Sequence, residues 1–123
     1  MGDFATVAQQ FVEFYYNTFD TDRSKLASLY RESSMLTFEG QQFSSIAGIT
    51  EKLTSLPFQK VQHKISTFDP QPSVAGESII ISVTGLLAVD EESNPLGFSQ
   101  TFFLAKDAAG YYVHNDIFRL NLG

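Results

Sequence analysis

The chain has 123 residues, a net charge of −6 from eight basic and fourteen acidic side chains, and no cysteine. That length is one domain's worth, 1–123, with enough chain to hide a core without covalent staples. The missing cysteines exclude disulfides, thiolate metal sites and thiol nucleophiles, and fit a reducing, intracellular setting. Basic residues are few and scattered, which argues against nucleic acid and for a basic protein partner. Apolar runs fall far short of a membrane span, and the N-terminus has no basic, then apolar, leader.

In chain order, Phe4, Val7, Ala8, Phe11, Tyr15, Thr18 and Phe19 recur at three- and four-residue steps. This predicts an amphipathic helix capped by Asp3. An Asp-rich break follows in "FDTDRSKLASLY", and then a short helix showing Leu26, Leu29 and Tyr30 on one side. "MLTFEGQQFSS" reads as a strand and a turn. Ile46, Ile49, Leu53 and Leu56 mark a third helix ended by Pro57.

From there the period becomes two. "QKVQHKISTF" places Val61, His63, Ile65 and Thr67 on one side, and "SIIISVTGLLAV", "GFSQTFFLAK" and "YYVHNDIFRLN" follow across the turn segments "DEESNPL" and "DAAG". The class is α+β: helices first, then a long antiparallel meander. Ile79 and Ile80, Phe102 and Phe103, and Ile117 and Phe118 are adjacent pairs that point to opposite faces. Three helices cover only one face. Either a second subunit covers the other or the sheet curls around its own core, and the reading taken is the subunit.

Catalytic signatures are thin. There is no nucleophile elbow, no phosphate-binding glycine loop, and neither His63 nor His114 has metal-ligand spacing. No cofactor and no metal are expected. Glu39, after Phe38, is by periodicity alone a strand end meeting water; the sharper reading is an acid on the rim of an aromatic hollow. Asp90, Glu91 and Glu92 read alone as a solvated tip, although alternation lets Asp90 and Glu92 converge on one base. Tyr15, Tyr16, Asp20 and Asp22 read as core plus a turn, with a proton-moving site as the alternative.

"FYYNTFDTDR", "MLTFEGQQF", "EKLTSLPFQKVQHKI", "GFSQTFFL" and "YYVHNDIFRLN", in that order, resemble the nuclear transport factor 2 family over about Phe11 to Asn121. The resemblance implies a cone-shaped roll: three helices packed on a strongly curved antiparallel sheet, and a homodimer formed through the sheet face. It implies a nuclear import carrier for GDP-bound Ran that also binds phenylalanine–glycine repeat nucleoporins and catalyses nothing. It places the chain in cytoplasm, nuclear pore and nucleus.

Carried over by position, Glu39 pairs with an arginine of Ran, and Asp90 and Glu92 hold a lysine. Phe38, Leu56, Phe58 and Phe118 wall a hollow that accepts an aromatic side chain. Phe4 matches the aromatic used for nucleoporin repeats, and the dimer face takes in His63, Phe102 and Ile117. Many members carry Trp at the position of Phe38, and some carry Asp at that of Glu92. The alternatives are a pocket enzyme of the same cone fold, an isomerase or dehydratase using Tyr15, Glu39 or Asp20, or a dimeric scaffold for phenylalanine-containing peptide motifs.

Overall fold

The computed structural model describes residues 3–57, 60–74, 78–90 and 94–121. Helix α1 (Phe4–Thr21) comes first, then a 3-10 helix (Arg23–Leu29), β1 (Tyr30–Phe38), β2 (Gln41–Ser44) and α2 (Ser45–Thr54). Four long strands complete the chain: β3 (Val61–Pro72), β4 (Ile79–Val89), β5 (Leu96–Asp107) and β6 (Gly110–Asn121). They form one six-stranded sheet in the order β2-β1-β6-β5-β4-β3.

The sheet is mixed rather than wholly antiparallel. β1 runs parallel to β6, with Phe38 beside Phe118, while every other neighbouring pair is antiparallel. The C-terminal ends of β1, β4 and β6 therefore share one end of the sheet with the N-terminal ends of β3 and β5. A parallel pairing needs a crossover. Here it is the long path through β2, α2 and the β3–β5 meander.

The helices lie on one face. Ala8, Val12, Tyr15, Tyr16, Thr18 and Phe19 of α1 are buried, as the spacing of the apolar residues predicts. α1 ends inside the expected Asp-rich break, running to Thr21 before the extended Asp22, which places Asp20 in its last turn. A carboxylate there opposes the helix dipole. Asp20 is compensated from outside, accepting from the His63 backbone N–H at 2.9 Å and meeting its ring Nδ1 at 2.7 Å. Asp3 does not cap α1 with its side chain; Oδ1 accepts the Thr6 hydroxyl instead. Asp22 does cap the 3-10 helix, its Oδ1 accepting from the backbone N–H and hydroxyl of Ser24.

Fully buried Ile79, Ile81, Val83, Phe98, Phe102, Leu104 and Val113 build the sheet's side of the core. Gly85 permits the close approach of β3 to β4 there, since a Cβ would collide with the Lys64 carbonyl and crowd the Phe98 ring. The register shifts between Ile65 and Thr67, and the alternation expected for "QKVQHKISTF" breaks: Thr67 turns out to solvent and Phe68 packs against the core. On the outer face stand Met35, Ile80, Leu86 and Ile117, each more than a third exposed. Adjacent residues of opposite fate, such as Ile79 at 0% and Ile80 at 39%, make the sheet apolar on both sides. Among the described residues no helix is long and apolar enough to cross a membrane.

Candidate functional site

The end of the sheet where β1, β4 and β6 finish is built around aromatic rings. Phe38 and Phe118, register partners on β1 and β6, stack 4.8 Å apart at 16°, and Phe118 stacks on Phe98 at 5.8 Å and 22°. A hollow of about 50 Å³ lies against them. α1 contributes Tyr15 and Phe19, β1 contributes Leu36 and Phe38, and α2 contributes Leu53. The remaining wall is His63, Leu87, Leu96, Gln100, Phe118 and Leu120 of the four long strands. Leu87 faces Leu96 across the β4–β5 pair, so that hairpin closes one side.

Glu39 stands at the edge of this hollow for a local reason. Glu39 and Gly40 are the two residues linking β1 to β2, and both have positive φ, +52° and +86°. That is the geometry of a tight hairpin turn whose twist matches its strands. Glycine adopts it without strain, and Glu39 is held in it by two bonds to β6. Its N–H donates to the Phe118 carbonyl at 3.1 Å, and its Oε1 accepts from the Leu120 N–H at 2.6 Å. The side chain is exposed, with one carboxylate oxygen anchored by β6. Lys52 of α2 places its ammonium 5.2 Å from the Phe38 centroid and 5.3 Å from that of Phe43.

Asp90 ends β4 at the same end of the sheet. It also has positive φ, +52°, and its Oδ1 accepts from the Lys60 backbone N–H at 2.8 Å. Asp90 does not line the hollow but a neighbouring groove with Asn17, Asp20 and Lys60. β1 and β4 are three strand spacings apart in the sheet, about 14 Å. Glu39 and Asp90 thus stand at the same end of the sheet on strands that are not neighbours, rather than as one acid pair.

The other sequence candidates divide. Leu56 is buried, just beyond α2, but does not line the hollow. Phe58 and Glu92, with Glu91, lie outside the described residues. Phe4 is half-buried at the start of α1 and packs against the core. Two dimer-face assignments are corrected. The His63 side chain is 2% exposed, turned inward onto Tyr16, Phe19 and Phe98 and held by Asp20. Phe102 is fully buried beneath α1 against Phe11 and Tyr15. Both lie on the inner face. Ile117, 48% exposed, is on the outer one.

The sequence reading missed the most buried charge. Asp116, with no exposed surface, accepts from the Tyr30 hydroxyl at 2.8 Å, the Gln100 amide at 2.7 Å and the Tyr15 hydroxyl at 3.4 Å. Tyr16 donates to Gln100 Oε1 at 2.7 Å. Burial pushes the carboxyl up to about 6 against the pull of its three donors, and burial first, then the Asp116 charge, holds the Tyr15 and Tyr30 hydroxyls well above the usual tyrosine range. Alternation with Phe118 was the available signal, since it sends Asp116 inward too. Asp116 does not reach the wall of the hollow, and its oxygens are taken up inside the core. Among the described residues no cluster of His and acids is suited to a metal.

An apolar aromatic hollow with Glu39 at its edge, at one end of a helix-backed six-stranded mixed sheet, is the architecture of a small α+β pocket domain. The profile of the nuclear transport factor 2 (NTF2) domain matches residues 7–120. Nuclear transport factor 2 of Emericella nidulans is 60% identical over 98% of this chain and 97% of its own, and that of Saccharomyces cerevisiae is 58% identical over 97% and 95%. The structure of nuclear transport factor 2 from Cryptosporidium parvum superposes with a TM-score of 0.92 at 44% identity, covering 98% of this chain and 96% of its own. The chain belongs to the nuclear transport factor 2 family.

Proposed function

We propose that the hollow edged by Glu39 is where this chain receives GDP-bound Ran. As a nuclear transport factor 2 orthologue, the chain is an import carrier that binds GDP-bound Ran and phenylalanine–glycine repeat nucleoporins and returns Ran to the nucleus. It moves between cytoplasm, nuclear pore and nucleus, and it is not an enzyme. The observation that carries the site is the Phe38–Phe118 stack with Glu39 bonded to β6 beside it. An aromatic side chain of Ran enters against the stacked rings and supplies most of the burial. Glu39 takes a basic group at one side, and Asp90, with Glu92 beyond it, takes another. Their charge steers encounter and sets orientation. Ran discriminates its own nucleotide state, because its switch segment must present ring and bases together.

The residues 1–123 act as one such domain. Ile117, with Met35, Ile80 and Leu86, supplies the outer sheet face to a second copy of the chain, and Phe4 supplies an aromatic to nucleoporin repeats. Binding measured side by side for Ran-GDP and Ran-GTP tests the reading. Retention of Ran-GDP alone is expected; equal retention of both, or of neither, contradicts it.

A further inference from the structure

The edge of the hollow carries a positive charge as well as the negative one of Glu39. Lys52 is half-buried, one residue before Leu53 of the hollow wall, and its ammonium sits between the rings of Phe38 and Phe43. Both contacts are cation–π interactions, which fix the position of the charge without neutralising it. No carboxylate or hydrogen-bond acceptor among the described residues engages its Nζ. By contrast, Arg31, another cation lying over a ring, also holds the carboxylate of Asp107 at 2.8 Å. In a chain of net charge −6, an unneutralised lysine over the docking ring is an expensive choice if the visitor brings only bases, because it repels them.

We propose that Lys52 is a specificity-determining contact that takes an aspartate or glutamate from the same partner segment that inserts the aromatic ring. The inference rests on the carrier reading and adds to it a chemical requirement. The visiting segment presents a ring, bases for Glu39 and Asp90, and an acid close to the ring. A merely basic, ring-bearing segment meets attraction at the acids but repulsion at Lys52 and is rejected, so one residue supplies both a contact and a penalty against wrong partners.

The test is Ran-GDP binding by the wild type and by Lys52→Arg, Lys52→Gln and Lys52→Glu, each first shown to melt as a folded protein. Lys52→Arg keeps both the charge and the ring contact and is expected to bind within about twofold of wild type. Lys52→Gln is expected to bind at least about threefold more weakly, and Lys52→Glu at least about tenfold. A cycle separates direct pairing from support of Phe38. With each Asp or Glu near the partner's inserted ring replaced in turn by its amide, one replacement should weaken binding to wild type but not to Lys52→Gln. Unchanged or tighter binding by Lys52→Gln, or full additivity for every acid in that segment, overturns the proposal. Wild type failing to bind Ran-GDP would be a different result, removing the carrier reading along with it.

Discussion

Phe38 and Phe118 lie face to face across the only parallel strand pair among the described residues, 4.8 Å apart and 16° from parallel. The pair joins fold to function. Phe118 is 6% exposed and belongs to the core, while Phe38 is half-buried and lines the hollow. Phe118→Ala is therefore expected to cost about 3–5 kcal/mol of stability, read by urea denaturation. Phe38→Ala should cost less, about 1–2 kcal/mol, yet weaken Ran-GDP binding at least about tenfold.

Asp20 and His63 tie the end of α1 to the start of the edge strand β3. Asp20→Ala removes both acceptors at once and leaves the His63 ring, with its side chain 2% exposed, without that partner. A loss of about 2–3 kcal/mol is expected, measurable as a lower melting temperature. Selectively faster amide exchange at His63 would locate it.

The buried Asp116 gives a pH signature. Its folded-state value, about 6, stands above the ordinary 3.8, so the fold prefers the protonated form by about 3 kcal/mol. That contribution is fully present below about 4 and is lost as pH rises through 6. Against Asp116→Asn, whose side chain does not titrate, wild-type stability should stay level above about pH 7 and improve as pH falls from about 6.5 to 4. A difference between the two proteins that stays flat over this range would show the carboxyl not to be displaced upward.

Ile117 stands on the outer sheet face beside Thr37 and Thr101, its register partners. Ile117→Glu puts a charge into the face assigned to a second copy. A shift from dimer to monomer in sedimentation, with melting retained at high protein dilution, is expected.

Much of this was legible in the sequence because it is local. The apolar stripe of α1, the β-branched runs of β4 and the Glu39–Gly40 turn are set by neighbours a few residues apart. The rest depends on contacts distant in sequence. Asp20 is tolerated in the last turn of α1 with His63, 43 residues later, bound to it. The parallel β1–β6 pairing joins segments some eighty residues apart, and nothing in either strand announces its direction. The register shift near Ser66 undid simple alternation in β3. His63 and Phe102 were assigned to the dimer face although alternation alone does not say which side is the inner one. Asp116 went unnoticed because an acid in a strand is ordinarily exposed, and its three donors come from three different elements.

Glu39, fixed by the Leu120 N–H, is the proposed docking group for a base of Ran-GDP. The most direct measurement is the affinity of Glu39→Lys for Ran-GDP by titration calorimetry, beside a check that the variant melts like wild type. A folded protein with binding lost by at least about a hundredfold is the expected result. Wild-type affinity in the folded variant would remove Glu39 from the Ran site.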